Sequence, residues 1–283
     1  MKPAAFAYHA PDSIAGAIEL LSSADDAKIL AGGQSLVPTM NFRLARPAAL
    51  VDINRIVAMD SVSTADGVLE IGALARHASF ESPVEPGRLG QILARVARFI
   101  GHHPIRIRGT FVGSLAHADP AAEWCVVART LDAMMVAAGP SGVRYIDAET
   151  FFQTLFSTDL RPNEILTSVR LPLLDATQHA GFAEYARRTG DFALTMALVV
   201  LDVTDGVIER ARIGLGGVAD KPIRVPDAES AIVGMRPEVA ADVVGDAAAS
   251  SIVPLGDIHG SPEYRTDLIR AMVRRATLDA VSS

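Results

Sequence analysis

The sequence predicts an α+β protein of two domains, and three patterns predict it. Apolar segments on either side of a helix form a β-α-β unit at the N-terminus, residues 61 to 80 change to hairpin periodicity, and past Pro172 a run of strands is followed by two closing helices. With 283 residues the chain is long enough to bury two cores. The expected division is 1–175, in lobes of about 1–55 and 56–175, and a smaller α+β domain over 176–283.

Taken in order, Phe6-Ala7-Tyr8 is a short extended segment, and Ile14, Ala17, Ile18 and Leu21 recur at helical spacing with Asp12 or Ser13 placed as the cap. Lys28 to Ala31 reads as a buried strand, Val37 to Leu44 as a helical turn or two, and Ala49 to Ile53 as the next strand. The unit lacks the GxGxxG spacing of a dinucleotide fold. Ser61 to Thr64 and Val68 to Ala73 form a hairpin about Asp66-Gly67. Leu89, Ile92, Leu93, Val96, Ala97 and Ile100 mark an amphipathic helix that Gly101 and Pro104 stop. A loop of glycines and hydroxyls covers 109 to 114, and Pro120 opens a helix through about Leu131. Strands near Ala133 to Ala138 and Val143 to Asp147, a short helix from Phe151 to Phe156 and a strand from Ile165 to Leu171 complete the lobe. Leu173 to Ala180 is the linker; extended Phe182 to Arg187, apolar Phe192 to Val203, the turn Asp205-Gly206, Val207 to Leu215, and helices Glu238 to Ala249 and Pro262 to Val281 follow.

Composition narrows the function. An apolar content of 49% with 21% charged residues is that of a folded globular chain, and no apolar run reaches the roughly 18 residues of a membrane span. A net charge of −7 lacks the basic footprint that phosphate contacts to nucleic acid require. Cys125 is the single cysteine, so the chain alone supplies no intrachain disulfide, no Cys-based zinc site and no Cys-ligated iron–sulfur cluster. The N-terminus lacks the pattern of a secretory signal, which makes the cytoplasm the expected location.

Two small-residue stretches carry the chemistry. The first runs from Lys28 through Ala31-Gly32-Gly33-Gln34-Ser35-Leu36, the second from Arg108-Gly109-Thr110 through Gly113-Ser114 to Glu123. Glycine opens the approach to the backbone, several N–H groups can then face one anion, and Gln34 and Ser35 add donors. A diphosphate suits such a pair.

With Arg187-Arg188-Thr189-Gly190-Asp191-Phe192-Ala193 as a third signature, these stretches resemble the medium, FAD-binding subunit of molybdenum hydroxylases, the xanthine dehydrogenase and aerobic carbon monoxide dehydrogenase family, over essentially the whole chain. The resemblance implies a two-lobed FAD domain of the p-cresol methylhydroxylase (PCMH) type and a C-terminal domain of the CO dehydrogenase flavoprotein type. It implies non-covalent FAD gripped by Ile29, Leu30, Ala31, Gly32, Gly33, Gln34, Ser35 and Leu36 in the first loop and by Gly109, Thr110, Gly113 and Ser114 in the second. By the same carry-over Ile100 and Ile105 line the adenosine end, His117, Asp119 and Glu123 meet sugar hydroxyls, and Leu166 and Phe192 approach the flavin ring. No catalytic acid, base or nucleophile and no metal ligand is assigned. The implied partners are a large subunit holding the molybdenum cofactor and a small subunit with [2Fe-2S] clusters, in a dimer of heterotrimers, with electrons passing through FAD to an external acceptor.

One departure from the family pattern stands out. Relatives usually read Thr-x-Gly-Gly in the second loop, whereas Val112 precedes Gly113 here, and a β-branched residue disfavours positive φ; weakened FAD binding is the expectation. Ile107 stands where relatives commonly carry Asn. Two other readings are a stand-alone PCMH-type flavin oxidase, which needs a larger substrate domain than 176–283, and an assembly subunit that has lost FAD. His102 and His103 read as solvent-facing or capping groups, Asp191 as a possible cap, and Cys125 as inert core.

Overall fold

In the first lobe of the chain, β1 (Ala7–His9), α1 (Ile14–Ser23), β2 (Ala27–Leu30), α2 (Leu36–Asn41) and β3 (Ala49–Asp52) follow one another in a computed structural model that describes residues 1–282; Ser283, the last residue of the expected second domain, lies outside them. The strands form a parallel sheet in the order β1-β3-β2, with Ala7 opposite Ala49 and Lys28 opposite Leu50. Of the two candidate caps for α1 it is Ser13 that acts, its hydroxyl accepting from Gly16 N at 3.2 Å. Ala17 and Leu21 are buried, which fixes the helix on the sheet.

The second lobe contains β4 (Val62–Ala65), β5 (Val68–Gly72), α3 (Arg88–Ala97), α4 (His103–Arg106), α5 (Phe111–His117), α6 (Glu123–Thr130), β6 (Met134–Gly139), β7 (Gly142–Asp147), α7 (Ala148–Phe151), β8 (Phe152–Thr154), β9 (Ser157–Thr158) and β10 (Ile165–Pro172). Its main sheet is antiparallel in the order β4-β5-β10-β6-β7. The β4–β5 turn uses Asp66 at φ 50° and Gly67 at φ 75°, the left-handed pair a two-residue hairpin demands.

Three expectations are corrected in this lobe. The helix expected over Phe151 to Phe156 ends at Phe151 and becomes the β8–β9 hairpin: Phe151 and Phe152 are both buried, and Phe156 takes φ 55°, which no right-handed helix contains. The helix expected from Pro120 starts at Glu123, because the Asp119 carboxylate accepts from Ala121 N at 2.9 Å and holds the chain in a turn first. The stretch expected as a loop over 109 to 114 becomes helical at Phe111, with the Thr110 hydroxyl accepting from Gly113 N at 3.1 Å.

The third sheet holds β11 (Gln178–Tyr185), β12 (Thr195–Thr204), β13 (Val207–Gly216) and β14 (Ile223–Arg224) in sequential order, followed by α8 (Pro226–Ala231), α9 (Pro237–Ser250) and α10 (Pro262–Val281). The expected linker is shorter than predicted, since β11 already starts at Gln178. Sheet and helices enclose a core of Val199, Leu201, Ile213 and Leu215 against Val244, Ile269 and Val273. The opposite sheet face, with Phe182, Met196, Leu198 and Val200, joins the core of the second lobe around Trp124, Val126 and Val127.

Candidate functional site

The two glycine turns meet. A Cβ built on Gly32 would collide with the Arg108 carbonyl oxygen and lie 2.6 Å from Gly109 Cα, so only glycine at position 32 lets the turns touch. On the far side, a Cβ on Gly109 would fall 2.6 Å from His77 Nε2. Gly113 has Ala31 Cβ 3.9 Å from its own virtual Cβ, which extends the contact into the first turn of α5.

The polar groups of these turns are sorted by direction. Ala31 O accepts from Asn54 Nδ2 at 2.9 Å, Gly32 O from Gln34 Nε2 at 3.2 Å and Gly33 O from Val37 N at 3.1 Å. Across the junction, Arg108 O accepts from the Arg76 guanidinium, Gly109 O from His77 N at 3.0 Å and Thr110 O from Ser114 N at 3.1 Å. Every carbonyl of 31–33 and 108–110 is thus engaged. By contrast, among the described residues the N–H groups of Gly32, Gly33, Gln34, Ser35 and Leu36 meet no protein acceptor. Five consecutive free donors beside a run of satisfied acceptors make an anion cradle.

Beneath the second turn lies an aromatic platform. Phe111 stacks on Trp124 with ring centroids 4.4 Å apart, and Phe80 packs edge-on at 5.5 Å from Trp124. Trp124 Nε1 donates to His77 Nδ1 at 2.9 Å, so the neutral His77 carries its proton on Nε2, facing Gly109. Burial, aided by Arg76 and Arg106, lowers the His77 pKa to about 4, and the ring is uncharged at neutral pH.

The expected sugar-binding residues begin at the last residue of α5 and run into α6. His117 is half-buried with its ring 4.9 Å from that of Phe156, and burial lowers its pKa. Glu123, on the first turn of α6, has its carboxyl raised to about 7, chiefly by burial and further by Asp119. Ser114 O accepts from the buried Cys125 thiol at 3.6 Å, and burial pushes that thiol well up, leaving it inert. Ile100 is buried; Ile105 is half-exposed, and its carbonyl accepts from Gly109 N at 2.8 Å. Leu166 is buried on β10, the strand beneath α5, whereas Phe192 stands 73% exposed on the loop between β11 and β12. That loop approaches the start of α4: a Cβ on Gly190 would lie 2.7 Å from His102 Cε1. His103 meets Glu81 at 3.4 Å, and among the described residues no cluster of His, Cys, Asp and Glu could hold a metal. Asp191 pairs with Arg187 at 3.8 Å rather than capping a helix.

Val112 contradicts the reason given for weak binding. It lies inside α5 with no positive φ, and its side chain is buried in the core. Gln34 also departs from expectation, its amide closing its own turn on Gly32 O.

Three features escaped sequence reasoning. Asn54 and Arg76 tie the turns from outside either motif, Arg76 Nη2 donating to Asn54 Oδ1 at 2.6 Å. Glu184 on β11 sits in register with Met196 and Gly216, whose Cβ position is 3.0 Å from Pro120 O, so it faces the start of α6. Burial and the neighbouring Glu123 raise the Glu184 carboxyl to about 9, and its Oε2 is buried without a partner. No periodicity or motif announces such partners.

Fold and turns together define a two-domain protein with a row of free backbone donors where its two lobes meet. Residues 4–174 match the family model for the FAD binding domain in molybdopterin dehydrogenase, and residues 180–280 that for the CO dehydrogenase flavoprotein C-terminal domain. The chain is 38% identical over 282 residues to the nicotine 6-hydroxylase medium subunit of Paenarthrobacter nicotinovorans, covering 99% of each. It is similar to a chain of carbon monoxide dehydrogenase from Hydrogenophaga pseudoflava (TM-score 0.95, 35% identity, covering 100% of this chain and 99% of that one). A chain of quinoline 2-oxidoreductase from Pseudomonas putida 86 gives a TM-score of 0.95 at 37% identity, again over 100% and 99% of the two chains. The protein belongs to the FAD-binding medium subunits of the molybdenum hydroxylase family and is an oxidoreductase subunit.

Proposed function

We propose that this chain is the electron-transfer subunit of a molybdenum-dependent hydroxylase or dehydrogenase, placed between a small [2Fe-2S] subunit and an external acceptor. The observation that carries the reading is the row of free N–H groups from Gly32 to Leu36 against Gly109, with the neighbouring carbonyls all engaged elsewhere. Those donors match a diphosphate without a strongly basic pocket, which agrees with a net charge of −7. Bound there, FAD supplies the redox chemistry that carries electrons from the iron–sulfur clusters to the acceptor.

The protein's part is placement. Gly32, Gly33, Gln34 and Ser35 hold the diphosphate with their free backbone N–H groups while Gly109 and Thr110 close the junction beside them, His117, Asp119 and Glu123 lie along the chain toward the sugar hydroxyls, and Leu166 and Phe192 serve the ring. Glu123, with its raised pKa, is poised to share a proton with a hydroxyl. Substrate hydroxylation belongs to a large molybdopterin-binding subunit, the assembly is a dimer of heterotrimers, and its location is the cytoplasm; among the described residues no helix is long and apolar enough to cross a membrane.

The test has two parts. Full-length chain stripped of cofactor and mixed with FAD is expected to turn yellow at one flavin per chain, and tagged chain from its host is expected to bring down an iron–sulfur and a molybdopterin subunit. A chain that takes up no flavin ends the reading. A yellow chain that copurifies alone ends the assignment to a complex.

A further inference from the structure

We propose that Arg76 and Asn54 are positioning residues for the diphosphate: they brace the two glycine turns against each other and hold the Ala31 and Arg108 carbonyls away from the anion. The proposal rests on the reading of the cradle as the FAD site. Backbone donors bind an anion well only when the carbonyls of the same turn point elsewhere, because a carbonyl oxygen facing a phosphate repels it. Gly32 O, Gly33 O and Thr110 O are engaged by their own turn or helix, and Gly109 O by the His77 backbone N–H. Ala31 O and Arg108 O are engaged by these two side chains.

Arg108 O is also the atom that lies against Gly32, so whatever fixes it fixes the separation of the turns. Arg76 does so with one arm of its guanidinium while the other donates to Asn54 Oδ1 at 2.6 Å. The brace is anchored behind: Asn54 N and Nδ2 donate to Asp52 Oδ1 at 2.9 and 2.6 Å, and Tyr8 OH donates to Asp52 Oδ2 at 2.6 Å. The first lobe's sheet is therefore linked through Asp52, Asn54 and Arg76 to the second lobe's turn. A fork with two fixed arms performs this task, whereas a single ammonium cannot reach both acceptors in the same geometry.

The discriminating variant is Arg76→Lys, which keeps the charge and removes the fork. In full-length chain titrated with FAD by flavin fluorescence, Arg76→Lys, Arg76→Ala and Asn54→Asp are each expected to raise Kd about tenfold. The double variant Arg76→Ala/Asn54→Ala is expected to bind within about twofold of the weaker single, because either change breaks the same brace. Phosphorus NMR at saturating FAD adds a readout at the diphosphate itself, whose resonances should move in Arg76→Lys. Urea midpoints of the flavin-free chains identify any variant that misfolds, in which case Asn54→Asp, the closest in shape, carries the test. Wild-type affinity in Arg76→Lys, unmoved phosphorus resonances, or strictly additive losses would each overturn the proposal. Failure of the wild-type chain to bind FAD at all would instead overturn the functional reading.

Discussion

Position 112 shows how far a single residue can mislead when its backbone conformation is unknown. Valine replaces a glycine of the family pattern, yet the backbone there is helical and the side chain is 1% exposed between Phe111 and the lobe core. The substitution fills a core position and leaves the cradle's donors alone. Val112→Gly is therefore expected to lose about 2–4 kcal/mol of stability, from the lost burial and the poor helix propensity of glycine, with FAD affinity unchanged within about twofold. Urea unfolding paired with FAD titration checks both halves, and tighter FAD binding by the variant would restore the original objection. Gly32 teaches the converse. Its motif is legible in the sequence, but the reason for it, contact with Arg108 and Gly109, depends on where the fold places residues far downstream. Asn54 and Arg76 were not legible at all, because they belong to no repeat, no periodicity and no motif.

At the scale of elements, the second turn is held by what lies under it. α5 begins where Thr110 caps it, and Phe111, Trp124 and His77 form the floor. The histidine makes that floor sensitive to acid. Its pKa falls to about 4 in the folded chain from an ordinary 6.5, so the neutral ring is favoured by folding. The stabilisation is complete above about pH 6.5 and is lost as pH falls through about 4, roughly 3 kcal/mol in all. His77→Asn keeps an acceptor near Trp124 Nε1 and removes the titration. The difference in unfolding free energy between wild type and variant is expected to shrink by about that amount from pH 7 to pH 4; a constant difference across this range would show that His77 does not titrate with folding. Elements with strong periodicity, α1 and α3, are legible in the sequence, and β12 is legible as an apolar run. The helix at Phe111 and the hairpin at Phe152 are not, since each is set by a local side-chain bond or a buried aromatic pair that outweighs propensity.

For the molecule as a whole, the deciding feature is that the sheet of β11, β12 and β13 is covered on both faces along most of its length. An apolar run over Phe192 to Val203 does not show what covers each side; the structure puts α10 on one face, with α9 packed on α10 and contributing Val244 to the same core, and α3 and α6 on the other. The seam with the FAD-binding domain is closely packed: Phe99 meets Phe182 with centroids 5.1 Å apart, and Gly217 N donates to Pro120 O at 2.9 Å. Ion pairs Arg95–Asp279 and Arg224–Asp132 close its edges. A seam that shares one hydrophobic core cannot open without exposing that core, so the two domains should unfold together. Calorimetry of the full chain is expected to give one transition whose calorimetric and van't Hoff enthalpies agree. Gly216→Ala tests the cause, because its new Cβ would lie 2.5 Å from Val126 Cγ2 and 3.0 Å from Pro120 O, on the FAD-binding side of the seam. Overpacking there, costing about 1–3 kcal/mol, should lower the single transition as a whole. If it instead split the transition in two, with one part unchanged, the domains would be independent and the C-terminal sheet would have no part in holding the cradle's second turn in place.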